Sequence, residues 1–128
     1  MRLLLDTHCF LWLNGQPEKL GAVSLNACRD PENTLFLSVI SLWEIQIKHQ
    51  LGKLDLKVPW QQMLNVQQAQ NDLRILPVSL PHIVQLGQLP MHHGDPFDRM
   101  LVAQAQFEGM ALVTADAAMG PYDVEVIW

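Results

Sequence analysis

Short apolar runs alternate with stretches of helical period along the whole chain, and turn residues punctuate them. Residues 2–6 read as a short buried strand. Residues 7–14 read as a helix, with Thr7 a candidate cap and Asn14-Gly15 the stop. A second helix is expected over 17–30, opened by Pro17 and closed before Pro31. Residues 34–39 are apolar and β-rich. Ser41 then caps a helix whose inner face is Leu42, Ile45 and Leu51, and Gly52 ends it. Residues 59–71 read as a further helix and 73–78 as a strand, where Pro77 fits an edge or an end. A short helix over 81–89 and a loop over 90–94 follow. Asp95-Pro96 opens a helix that runs to Glu108, with Phe97, Leu101, Ala105 and Met100, Ala103, Phe107 on its apolar face. Residues 111–114 are a buried strand, 116–120 a turn, and 124–128 a last short strand. Strands alternating with helices predict one α/β domain over residues 1–128, a parallel sheet with right-handed crossovers and helices on both faces.

Against that frame, four acids stand at element boundaries. Asp6 ends the first strand, Glu44 lies on the helix after the second, Asp98 opens the long helix and Asp116 follows the strand ending at Thr114. In a parallel sheet the carboxyl ends of the strands share one edge, and ligands bind there. Carboxylates gathered at one edge repel each other, which suggests a site for hard dications such as Mg²⁺ or Mn²⁺. Taken singly, each acid has a plainer reading. Asp6 and Asp116 can cap a helix or turn, and Glu44 can complete a capping box with Ser41 or pair with Lys48. Asp98 can sit at the third position of a helix that Asp95 caps. The joint placement is what favours a shared site.

Thr7, Ser41 and Thr114 stand beside these acids or one helical turn away, where hydroxyls can orient ligands; plain capping is the alternative. Asp95 in its Asp-Pro context favours capping over a supporting role at the metal. Arg99 points about a quarter-turn from Asp98 and is placed to reach a substrate phosphate, unless it lies on a solvated face. His92 and His93 are adjacent, so they point in different directions, and suggest a loop contact with substrate or no role.

Composition narrows the class. Hydrophobic residues are 49% and charged residues 16%, which excludes a disordered chain. The net charge is −5, and the deficit lies in residues 65–128, with 2 basic against 7 acidic groups. That argues against broad DNA binding through a basic face, though not against a nucleic-acid enzyme. Cys9 and Cys28 have no metal-like spacing and read as buried, reduced thiols. No run approaches a membrane span, and the amino terminus is too short in apolar residues for a signal peptide, so a cytoplasmic protein is expected.

The chain resembles the PIN-domain family, specifically its small toxin ribonucleases of the VapC type. The matching stretches are Leu4-Leu5-Asp6-Thr7-His8, Ser38-Val39-Ile40-Ser41-Leu42-Trp43-Glu44-Ile45, Asp95-Pro96-Phe97-Asp98-Arg99-Met100-Leu101-Val102-Ala103-Gln104-Ala105 and Leu112-Val113-Thr114-Ala115-Asp116. They occur in the family's order and span nearly the whole chain. The resemblance implies a compact α/β/α domain in which Asp6, Glu44, Asp98 and Asp116 are the acidic metal-site quartet. Asp98, rather than Asp95, matches the third acid, and Thr114 matches the hydroxyl residue before the last. It further implies an endoribonuclease that uses one or two Mg²⁺ ions to activate water against an RNA phosphodiester and leaves 5′-phosphate and 3′-hydroxyl ends. A small antitoxin partner that itself binds operator DNA, a homodimer and no direct DNA contact by this chain alone are also implied.

Three rival readings share the fold class or the metal site. A receiver-like signalling domain needs paired acids after the first strand and a Lys after a late one, whereas Asp6 is followed by Thr7, and Thr114-Ala115-Asp116 lacks that Lys. A binding module that keeps the fold without catalysis is disfavoured by the intact quartet. A phosphatase of small esters would share the metal site and differ in substrate.

Overall fold

A computed structural model describes residues 1–128. Five parallel strands form one sheet in the order β3-β2-β1-β4-β5. They are β1 (Arg2–Leu5), β2 (Thr34–Ser38), β3 (Arg74–Leu76), β4 (Ala111–Val113) and β5 (Val126–Ile127). Six α-helices connect or flank them: α1 (Thr7–Gly15), α2 (Ala22–Arg29), α3 (Val39–Gln50), α4 (Trp60–Asn71), α5 (Leu80–Gly87) and α6 (Pro96–Glu108). The chain builds outward from β1 to β3 on one side, then returns to lay β4 and β5 on the other. The order therefore reverses between β1 and β4, and a crevice opens at their carboxyl ends.

The central strand is apolar on both faces because both are covered. Leu3 and Leu5 enter one core with Phe10 and Leu13 of α1, Cys28 of α2, Ile45 of α3 and Met63 of α4. Leu4, between them, points the other way into a second core with Leu101, Val102 and Ala105 of α6 and Leu112 of β4. Both thiols are free and buried, and burial pushes Cys28 up to about 11.

Several expected boundaries move, each for a local reason. The helix expected over 17–30 is broken: a 3₁₀ turn at Pro17–Lys19 leads through extended Leu20 and Gly21 before α2 begins. Gly21 is where the carboxyl-terminal Trp128 packs, 3.3 Å from where a Cβ would stand. The helix expected to be capped by Ser41 is capped by Ser38 and starts at Val39; the Ser38 Oγ accepts from the Ile40 amide at 3.1 Å. Asp6, not Thr7, caps α1, accepting from the Cys9 amide at 2.7 Å. Residues 73–78 shorten to a three-residue strand at the sheet edge, and the last strand keeps only two residues. On α6, Phe107 is 51% exposed, while Val102 and Gln104 are fully buried. Helix α5 explains this shift, since it packs closely along α6 and covers Gln104 rather than Phe107.

Candidate metal centre

Asp6 follows β1 directly, so its backbone is pinned when its amide donates to Val113 O at 3.0 Å. Its carboxylate is 4% exposed. Oδ1 accepts from the Cys9 amide, and Oδ2 accepts from Thr114 Oγ1 at 2.6 Å. Thr114 Oγ1 in turn accepts from the Asp116 amide at 3.0 Å, and Asp116 Oδ1 accepts from Ala118 N. The ends of the two central strands are thus tied through side chains, and Asp116 is held at the mouth of the crevice.

Because α3 starts three residues earlier than expected, Glu44 lies in its second turn and turns inward instead of closing a capping box. It is 3% exposed. Thr7 Oγ1 lies 2.6 Å from Glu44 Oε1 and 3.0 Å from Ser41 Oγ. One hydroxyl carries one proton, so Thr7 donates to the carboxylate and its oxygen remains open to Ser41. The other Glu44 oxygen pairs with the Lys48 ammonium at 2.5 Å, one turn along α3. That hydrogen bond raises the Lys48 pKa against partial burial, and Asp95 and Asp98 attract the same charge. Lys48 is thus the cation of this pocket; the i,i+4 spacing to Glu44 was its only sequence signal.

Asp98 carries the electrostatic signature. Its pKa is raised to about 7, first by burial and then by repulsion from Asp95, Glu44, Asp116 and Asp6. Five carboxylates therefore share one field, although they come from four separate stretches of the chain. Asp95 accepts the amides of Phe97 and Asp98 and so caps α6, as its Asp-Pro context suggests. Arg99 does not face this pocket. Its guanidinium donates to Pro90 O at 2.8 Å, Tyr122 OH at 3.1 Å and Leu89 O at 3.5 Å, which ties the 90–94 loop to α6. His92 stacks edge-on against Tyr122. His93, one of the adjacent pair in the loop, and Tyr122, which no sequence pattern singles out, stand behind Asp98.

The donor set is chemically that of a hard dication: oxygen only, several carboxylates, a dry floor and hydroxyls that orient them. No three Asp, Glu, His or Cys side chains converge as a finished ligand shell. The carboxylates are instead engaged by Thr7, Lys48, Thr114 and backbone amides.

The PIN domain family model matches residues 3–124, and the chain belongs to that family of α/β domains. Among curated relatives, ribonuclease VapC22 of Mycobacterium tuberculosis is 28% identical over 115 residues, spanning 89% of this chain and 86% of that protein. In fold the chain resembles VapBC2 of Rickettsia felis, solved bound to a promoter DNA fragment, with TM-score 0.74, 21% identity and 98% and 97% of the two chains covered. It also resembles VapBC-5 of Mycobacterium tuberculosis, a member of the VapBC family of toxin-antitoxin systems, with TM-score 0.61, 18% identity and 98% and 96% coverage. Family membership removes the signalling-receiver alternative.

Proposed function

We propose that this chain is a divalent-metal-dependent endoribonuclease and the toxin of a toxin-antitoxin pair. The observation that carries the reading is Asp98, a carboxylate displaced to about 7 by burial and four neighbouring acids at the switch point of the sheet. Asp6, Glu44, Asp98 and Asp116 hold Mg²⁺ or Mn²⁺, with Asp95 capping beneath. A bound dication supplies Lewis acidity, activating water and offsetting charge on a phosphodiester. The chain's own groups do the rest. Thr114 and the Cys9 amide each take one lone pair of Asp6, fixing its plane and leaving a second lone pair on each oxygen. Thr7 does the same for Glu44. The buried floor keeps bulk water from competing for these oxygens.

The relative named a ribonuclease supports RNA as substrate, and the VapBC neighbours support a protein antitoxin as partner. DNA contact is assigned to that partner and not to this chain. A homodimer fits the stripe of Leu80, Ile83 and Val84 on α5 beside Phe107 of α6, all more than half exposed. No helix is long and apolar enough to cross a membrane, and we assign the protein to the cytoplasm.

The test is cleavage of structured RNA by the purified chain with Mg²⁺ or Mn²⁺, with EDTA, and with small phosphate esters in place of RNA. Metal-dependent RNA cleavage with 5′-phosphate ends, absent in Asp6→Asn and Asp98→Asn, is expected. Cleavage that persists in EDTA or in both variants would refute the site, and ester hydrolysis without RNA cleavage would make the protein a phosphatase.

A further inference from the structure

Behind Asp98 lies a chain of polar groups that the reading above does not use. Tyr122 is 3% exposed, and its phenolic oxygen is crowded. Arg99 Nη1 stands 3.1 Å from it, the His93 amide 3.4 Å and His93 Nδ1 2.7 Å. On the far side of the same ring, His93 Nε2 is sealed from solvent, makes no hydrogen bond and lies 3.6 Å from Asp98 Oδ2.

Hydrogen-bond direction fixes the protons. A guanidinium and a backbone amide can only donate, so they fill the two lone pairs of the Tyr122 oxygen. The Tyr122 proton must then go to His93 Nδ1, the shortest contact of the three. Nδ1 is an acceptor, and the neutral ring carries its proton on Nε2, aimed at Asp98. The opposite tautomer places three donors on one phenolic oxygen and leaves the buried Tyr122 proton with no acceptor.

We infer that Arg99, Tyr122 and His93 form a directional relay that holds His93 as its Nε2–H tautomer, a positioning residue that donates to Asp98 and is not itself a metal ligand. The consequence for Asp98 is orientational. Oδ2 is steadied from behind as the donor closes from 3.6 Å to hydrogen-bond range, and Oδ1 is left for a cation. A proton on Nε2 also denies a dication the one imidazole lone pair nearest the pocket. The tautomer assignment stands independently of function; the effect on metal binding rests on the reading proposed above.

Long-range proton–nitrogen correlation spectra of the metal-free full chain read the tautomer directly, with His93→Gln supplying the assignment. A protonated Nε2 and bare Nδ1 are expected, and a protonated Nδ1 overturns the relay. Mn²⁺ binding is then followed by electron paramagnetic resonance, a readout independent of cleavage. His93→Ala should weaken Mn²⁺ by about tenfold or more, in the range usual for partners that orient a ligand. His93→Gln, whose amide nitrogen takes the place of Nε2, should restore most of that loss. Tyr122→Phe, which frees the ring to change tautomer, should fall between them. Equal loss in His93→Ala and His93→Gln would make His93 a ligand and sink the positioning role, as would wild-type affinity in His93→Ala. A wild-type chain that binds no Mn²⁺ overturns the metal reading itself, and with it this role, while leaving the spectra to judge the tautomer.

Discussion

Replacing Asp98 with Asn should stabilise the metal-free protein while abolishing its activity. Asp98 has an ordinary carboxyl pKa of 3.8 when unfolded and one of about 7 in the fold, where burial and four acids oppose its charge. A group whose folded pKa is raised favours folding fully only below the unfolded value. That stability is lost as pH climbs from about 4 through about 7. Each tenfold change in proton affinity is worth about 1.4 kcal/mol, so ionising Asp98 in the fold costs up to about 4 kcal/mol at pH 8 and less than about 2 kcal/mol at pH 5. Its side chain is 19% exposed, so solvent screens little of this. Asn keeps the shape and removes the charge. Recovery of roughly half or more of that cost corresponds to about 6 to 15 °C in melting temperature for a domain of this size. The assay is thermal unfolding of both proteins in EDTA across pH 5 to 8, repeated with saturating Mn²⁺. The variant should melt higher in EDTA, by a margin that widens with pH, and the order should reverse with Mn²⁺, which stabilises only the chain with its ligands intact. If Asp98→Asn melts at or below the wild type in EDTA at pH 8, the crowded pocket is not what sets the charge of Asp98.

Two further substitutions probe the same pocket from its edges. Lys48→Met leaves the buried Glu44 without its counter-charge. Because the Lys48 side chain is itself 39% exposed, the expected loss is about 1–2 kcal/mol, below the range for a fully buried pair. Unfolding in EDTA measures it, and Mn²⁺ should restore more stability to this variant than to the wild type. Thr114→Val keeps the shape of the side chain but strips the donor from Asp6 Oδ2 and the acceptor from the Asp116 amide. A stability loss of about 1–3 kcal/mol should accompany a lower cleavage rate at saturating Mn²⁺; unchanged rate would show that Asp6 needs no orienting hydroxyl.

The fold was legible wherever a local pattern and its neighbours agreed. The apolar run before Asp6, the Asp95-Pro96 opening and the Glu108-Gly109 ending of α6 survive because propensity, capping and burial point the same way. Gly109 sits at φ 68, the left-handed turn that a helix end favours. The helix expected over 17–30 breaks because Trp128, more than a hundred residues away, packs on Gly21, and no local pattern encodes that contact. For the site, acids at strand ends were readable because topology alone places them. The hydroxyl partners were readable only as neighbours in sequence, since Thr7 to Glu44 and Thr114 to Asp6 span 37 and 108 residues. The partners of Arg99 are hidden for the same reason: a helix position gives its direction, but not the carbonyls of Leu89 and Pro90 that capture it. His93 shows in the sequence only as one of an adjacent pair in a loop, and Tyr122 carries no signal there, because their relation is made by the loop that brings them together.

The acidic balance of the chain, odd for a protein acting on RNA, lies mostly in the pocket itself. Thirteen acids less the five that share the field of Asp98 leaves eight, against seven Lys and Arg once Lys48, the pocket's own cation, is set aside with them. Outside the pocket the molecule carries a formal charge of only −1, and of the basic residues near the site Lys48 is paired with Glu44 and Arg99 faces the 90–94 loop. An RNA strand therefore meets few free cations, and its phosphates must be held mainly at the dication. Proteins that neutralise many phosphates lose affinity steeply with salt, by about a thousandfold or more between 50 and 200 mM. With about two phosphate contacts on a single strand, the loss over that interval should stay below about tenfold. Fluorescence anisotropy of a labelled single-stranded RNA with non-cleavable phosphate linkages, bound to the wild-type chain in Mn²⁺ and titrated with KCl, measures it. A slope that requires six or more phosphate contacts would mean that a basic surface does the binding, and that the pocket's charge is not the chain's whole electrostatic account with its substrate.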